Sequence, residues 1–166
     1  MKYYLDVLKK YAVFTGRASR QEFWMFFLFN MIIGIILSIV DNVAGSTYTY
    51  YASMGVPVRV GYIQNFYSLL VFIPNLSVSV RRLHDVNKSG HLLWLVFAPL
   101  VLLFWSFFAG AYMAMVLLAL VMLGFAIWLL VLNCTEGTRG PNKYGEDPYG
   151  PGFKFSFEED APVDEQ

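Results

Sequence analysis

Residues 77–91 read SVSVRRLHDVNKSGH and bring two adjacent arginines, a histidine and an aspartate together, with a second histidine at 91. Such a set allows three kinds of chemistry: metal-assisted or acid–base hydrolysis, capture of an anionic group, or a structural ion-pair network. Spacing weighs against the first. Neighbours on a helix point about 100° apart, so His84 and Asp85 cannot readily share a metal. His91 lies two helical turns beyond His84, but Asn87-Lys88-Ser89-Gly90 is a helix-breaking run. No HExxH, paired CxxC or Gly-x-Ser-x-Gly occurs in the sequence. The single cysteine, Cys134, has no evident base and no second thiol for a disulfide. GTRGPNKYGEDP, residues 137–148, lacks the G-x-x-x-x-G-K-[ST] pattern of a phosphate loop, and NKYGED lacks EF-hand spacing. The reading is non-enzymatic: no catalytic residue, no metal and no cofactor.

The elements that must position this cluster are apolar. Hydrophobic residues make up 57% of the chain and charged residues 14%, too oily a balance for an ordinary soluble domain. From Leu92 to Leu132 there is no Lys, Arg, Asp, Glu or His. A membrane-spanning helix needs roughly 20 apolar residues. On that measure the chain has spans at about 22–42, 62–82, 91–108 and 111–133. The last two form a tight hairpin turning at Phe108-Ala109-Gly110-Ala111. The expected fold class is all-α integral membrane, with an N-terminal segment over 1–18, a transmembrane domain over 19–135 and a Gly/Pro-rich, then acidic, tail over 136–166. The basic first 22 residues have no short apolar core before a cleavage site, so the first span is expected to stay as an anchor.

Eleven of the twelve Lys and Arg fall on alternate sides of these spans, and only Arg59 falls on the other. The positive-inside rule then puts both termini and the RRLHD loop in the cytoplasm. The opposite loop, AGSTYTYYASMGVPVRVGYIQ, is rich in tyrosine and suits an aromatic belt at the membrane boundary, with a ligand-binding cage as the alternative. A formal net charge of zero gives no reason to expect nucleic acid.

Local patterns add detail. KYYLDVLKKYAVF, residues 2–14, has helical periodicity and reads as an amphipathic helix at the interface, ended by Thr15-Gly16. Ser19 and Glu22 have the spacing of a capping box, each side chain bonding the other's backbone N–H. Asn30, Gly34, Ser38 and Asp41 recur along one face of the first span. Asn65, Ser68, Asn75 and Ser79 do so on the second. These stripes read as a polar seam packed between helices, with a hydrophilic permeation path as the alternative. Pro74 is expected to free a carbonyl for a nearby Ser or Asn. Asp41, near the outer end of its span, is expected to be wetted. In the tail, FKFSF reads as a short extended piece and the run from Glu158 as disordered.

Three motifs in order, FTGRASRQEFWMFFLF, SVRRLHDVNKSG and NCTEGTRGPNKYGEDP, resemble the bacterial inner-membrane family catalogued as domain of unknown function 805. The resemblance spans roughly Tyr11 to Pro148. Its signature falls on Gly16, Arg17, Ser19, Arg20, Glu22, Phe23 and Trp24, on Arg81, Arg82, Leu83, His84, Asp85, Ser89 and Gly90, and on Gly137, Asn142, Tyr144, Gly145, Asp147 and Pro148. His91 stands where the family usually has tryptophan, with Trp94 one turn away. The resemblance implies an inner-membrane address and a helical architecture. It implies no biochemical activity.

Charge sorting places all three motifs on one face. There Arg17, Arg20, Arg81 and Arg82 can meet Glu22, Asp85, Glu136 and Asp147 in a network of bidentate pairs. The same arginines can instead hold an anionic lipid headgroup. The candidate cluster is therefore Arg17, Arg20, Glu22, Arg81, Arg82, His84, Asp85, Asn142 and Asp147. The expected function is a membrane scaffold or lipid-interacting protein whose partners are lipids, a second copy or another membrane protein. The alternative is a small transporter or channel component using the polar seam.

Overall fold

The computed structural model describes residues 2–51 and 57–150. The expectations for FKFSF and the acidic run lie outside the described residues. Within them, helix α1 covers Lys2–Lys9, α2 Arg20–Val43, α3 Tyr62–Asp85, α4 Trp94–Phe108 and α5 Tyr112–Cys134, with strands β1 Thr47–Tyr51 and β2 Pro57–Gly61 between α2 and α3. Four helical stretches are long and apolar enough to cross a membrane: α2, α3, the run Gly90–Phe108 that ends in α4, and α5. The 24 residues of α2 or α3 rise roughly 36 Å at 1.5 Å each, enough for a hydrocarbon core of about 30 Å. The fold is the helical membrane architecture that the apolar runs imply.

The helices pair as two hairpins. In the first, α2 and α3 lie antiparallel. In the second, α4 turns into α5 through Gly110, whose φ of +65° is the left-handed conformation glycine accepts without strain. Leu129 is the one buried residue that α4 and α5 contribute, so this hairpin presents nearly all its apolar surface outward. Lipid is the solvent that tolerates such a surface.

The densest packing lies where the N-terminal segment meets the first hairpin. Val7, Ala18, Phe23, Phe26 and Val78 form a buried cluster flanked by Tyr4, Leu8 and Trp24. Tyr4 stacks on Phe26 with ring centroids 5.3 Å apart. Helix α1 stops at Lys9 rather than running on to Phe14, and beyond it side-chain hydrogen bonds join the chain to α3. Ser77 Oγ donates to the carbonyl of Val13 at 2.6 Å. Tyr11 OH donates to the carbonyl of Leu70 at 2.7 Å. Leu70 is four residues before Pro74, which has no N–H to offer it. A tyrosine from the N-terminal segment, not a Ser or Asn of the helix, thus satisfies the freed carbonyl.

The tyrosine-rich loop is a β-hairpin, which the reading of that loop as an aromatic belt did not include. Thr47 pairs with Gly61 and Tyr51 with Pro57 in antiparallel register. Tyr48 and Tyr50 lie opposite Val60 and Val58, aromatic and β-branched pairs of the kind that favour strands. Asp41 is fully buried rather than wetted. Its carboxylate accepts the backbone N–H groups of Ile63 at 3.1 Å and Gln64 at 2.9 Å. It therefore caps the N-terminus of α3 from another helix, where the aligned peptide dipoles favour a negative charge. A Cβ on Gly61 would lie 2.0 Å from Asp41 Oδ2, so only glycine lets the chain pass this close.

Candidate functional site

The end of the bundle away from the hairpin is built around Asp85, the last residue of α3. Asp85 and Arg82 are 0% exposed, Arg81 1% and Arg17 7%. Arg17 approaches Asp85 Oδ1 with Nε at 2.9 Å and Nη2 at 2.8 Å. Arg82 pairs with Oδ2 of the same carboxylate. One carboxylate thus holds two guanidiniums. Their remaining N–H groups go to backbone carbonyls at the end of α5 and in the segment after it: Arg17 Nη1 to Gly140 at 2.5 Å and Nη2 to Thr138, Arg82 Nε to Asn133 at 3.2 Å and Nη2 to Thr135. The main chain of Asp85 joins in, because its carbonyl accepts both the N–H and the hydroxyl of Thr138, each at 2.9 Å. A Cβ on Gly137 would stand 2.1 Å from Asp85 Oδ2. The tail can lie against the carboxylate only because that residue has no side chain.

Arg81 serves a second pair. Its Nη1 donates to Glu22 Oε1 at 2.6 Å, while Nε and Nη2 have no partner among the described residues. Ser19 caps α2 by accepting the N–H of Glu22 at 3.1 Å. The return half of the capping box is missing, because the Glu22 carboxylate turns to Arg81 instead of to the N–H of Ser19. A full charge within reach outbids a neutral donor. The carbonyl of Arg81 also accepts the N–H of Ala18 at 3.0 Å, fixing the N-terminal segment to α3 through main chain as well as side chain.

His84 points away from Asp85. Its Nδ1 lies 3.1 Å from the carbonyl of Gly16, and its ring stacks on Tyr144 at 3.9 Å and 4°. His91 turns instead to Ser89 Oγ at 2.8 Å, beyond the bend at Asn87, whose φ is +57°. Asn142 clips the tail down by donating to the carbonyl of His84 at 3.0 Å and to Thr138 Oγ1 at 2.8 Å. Asp147 shapes the tail from within, accepting N–H groups of Gly140 at 2.8 Å and Tyr149 at 3.0 Å. Burial on its own would raise the carboxyl's pKa, but those two backbone hydrogen bonds and the nearby Arg17 charge hold it below the ordinary aspartate value. By fixing Gly140, Asp147 positions the carbonyl that receives Arg17.

Two expected members stand apart. Among the described residues Glu136 pairs only with Arg139, at 4.0 Å and in an exposed position, apart from the buried network. Arg20 forms no ion pair among the described residues, and its backbone N–H donates to Tyr149 OH at 3.3 Å. Sequence reasoning missed the carbonyls of Asn133, Thr135 and Thr138, which no side-chain identity announces. It also missed the Tyr144 ring beneath His84.

The polar stripes of α2 and α3 do not form a packed seam. Gly34 meets nothing within 4 Å of where a Cβ would be. Ser68 and Ser79 bond back to the carbonyls of Gln64 and Asn75 in their own helix, and the carbonyl of Ser38 accepts Asn42. Asn65 reaches Tyr48 of the hairpin at 3.2 Å. Apart from Asp41 at the end of its stripe, the α2 stripe reaches α3 through one bond among the described residues: Tyr67 OH donates to Asn30 Oδ1 at 2.5 Å, with Tyr4 OH 3.1 Å from Tyr67 OH. Between the helices lies a groove of about 650 Å³. Back-bonded serines and a glycine leave space that neither helix fills.

Four apolar spans, one end held by buried arginine–carboxylate pairs and the other closed by a capped hairpin, define a multi-pass helical membrane protein. The chain belongs to the family described as Protein of unknown function (DUF805), which matches residues 11–146. It is 36% identical over 148 residues to Inner membrane protein YhaI of Escherichia coli (strain K12), covering 89% of this chain and 96% of that one. It is 34% identical to Inner membrane protein YhaH of the same strain, over 89% and 97% of the two chains. Uncharacterized protein YiiR of that strain is 27% identical over 81% of this chain and 84% of its own. No solved structure matches. No enzymatic family is indicated.

Proposed function

We propose that the chain is a non-enzymatic scaffold of the bacterial inner membrane, with its arginine end and both termini in the cytoplasm. The observation that carries this reading is the double use of Asp85, whose carboxylate takes Arg17 from the N-terminal segment and Arg82 from α3. The same two arginines bind carbonyls at the end of α5 and beyond it. Three segments far apart in sequence are thereby held as one platform at the membrane edge. Groups committed to one another in this way, and buried, support a structural role over a catalytic one. The platform's outer surface is where a second copy or another membrane protein would dock, and lipids surround the spans.

A second reading, in which an anionic lipid headgroup meets this end, draws on Arg81, whose Nε and Nη2 are buried without a partner among the described residues. The two readings separate in native mass spectrometry of the wild type and of an Arg81→Ala/Arg82→Ala variant, with thermal unfolding recorded alongside. The scaffold reading expects the variant to lose stability while retention of anionic lipid is unchanged. A variant that keeps its stability and loses an anionic lipid overturns it in favour of a headgroup site.

A further inference from the structure

We infer that the groove between α2 and α3 is a binding site for an uncharged amphipathic molecule, one that carries a hydroxyl or carbonyl group on an apolar chain. Its volume of about 650 Å³ falls within the roughly 300–1,000 Å³ of small-molecule sites. The walls are apolar over much of their length, with Phe27, Met31, Ile35 and Ile39 from α2 and Val71 and Phe72 from α3. No Lys, Arg, His, Asp or Glu lines it, so a charged group would enter without a counter-ion and is disfavoured.

The polar groups select the occupant further. Asn30 is already committed, donating to the carbonyl of Phe26 and accepting from Tyr67. The side-chain amides of Gln64 and Asn75 also line the groove, and neither has a hydrogen-bond partner among the described residues. Asn75 lies about 15 Å along α3 from Asp85 at 1.5 Å per residue, a depth at which hydrocarbon offers an amide nothing. Both primary amides donate and accept, which matches a hydroxyl or a carbonyl equally well.

The route of entry is set by what closes the ends. At the hairpin end Asp41 ties α2 to the start of α3. At the arginine end the Phe26–Val78 cluster and the Glu22–Arg81 pair do so. The groove is open between these closures, toward the side of the bundle. A molecule reaching it that way comes from the bilayer, which again requires an apolar chain.

The test is photolabelling in membrane vesicles with a diazirine-bearing hexadecanol, compared with the matching diazirine-bearing fatty acid in its ionised form. Labelled positions are mapped by peptide mass spectrometry. The alcohol is expected to label 27–39 and 64–75 about tenfold more than α4 or α5 and about tenfold more than the acid does, the scale of a hydrogen bond made or lost. Gly34→Leu, which fills the groove, and Asn75→Leu, which removes the amide, should each abolish the preference. Gly34→Leu meets nothing within 4 Å at its Cβ, so its thermal midpoint should stay at the wild-type value and separate occlusion from misfolding. Labelling spread evenly over all four spans, or equal labelling by the acid, overturns the proposal. So does rapid reaction of Asn75→Cys with a bulky charged maleimide, which would make the groove an aqueous path.

Discussion

At one end of α3 the buried aspartate Asp41 faces backbone N–H groups; at the other, Asp85 faces two guanidiniums. Each presses against a glycine that could be nothing else, Gly61 and Gly137. The difference lies in what answers the charge. Asp41 is met by partial charges of the helix it caps, so the arrangement is local to two adjacent elements. Asp85 is met by full charges from distant segments whose other donors need carbonyls from a third. The first end can fail piecemeal. The second is held or lost as a unit.

Removing Asp85 should therefore have the largest effect. Asp85→Ala strands two buried cations, and breaking a buried pair in this way costs about 3–5 kcal/mol. Thermal unfolding in detergent should show it as a large drop in midpoint or a loss of folded protein. The glycines come next, since a Cβ at either position overpacks its aspartate by roughly 1–3 kcal/mol. Their rescue sharpens the contrast. Gly61→Ala should add little to the cost of Asp41→Gly, because the Oδ2, Cγ and Cβ atoms that it would meet at 2.0–2.8 Å are then all gone. Gly137→Ala should gain nothing from Asp85→Ala, because the arginines stay unpaired. Asp41→Ala alone removes one cap and should cost about 1–2 kcal/mol. Tyr11→Phe leaves the Leu70 carbonyl unpaired and should cost about 1 kcal/mol, less than any change at Asp85.

The smallest expected effect is one of pH. The pKa of Asp147 is held below its ordinary value in the folded chain. Its contribution is present above the unfolded value of about 3.9 and is lost as pH falls through the lower folded one. Asp147→Asn should flatten that acidic limb of the stability profile and leave the neutral region little changed, because the group is half-exposed and much of its interaction is screened.

Much of the fold was legible because hydrocarbon thickness acts on composition alone: runs such as 23–40 and 92–132 have no other stable solvent. Arg17, Arg82 and Asp85 were legible as a cluster through the charge pattern and the family motifs. What escaped has identifiable causes. Glu22 matches a capping box by spacing, and only the fold brings Arg81 to it. Asp41 looked wetted from its position in the span, since nothing in the sequence announces that α3 starts against it. The stripes of small and polar residues read as a seam because small residues permit close approach, but they do not compel it. Gly34 and Ser68 show the same composition lining open space.

The arrangement around Asp85 also bears on the order in which the chain is made. Arg17 leaves the ribosome early and α3 delivers Arg82 and Asp85 later, yet the carbonyls that complete both guanidiniums belong to residues 133–140. Until those residues emerge, three charges at the membrane edge must rely on water or on headgroups. Translation thus supplies the final ligands of the network last, and a chain stalled before the tail cannot bury it. The network closes only after the last span has been made, and a copy interrupted before residues 133–140 leaves exposed a charged edge that the folded chain buries.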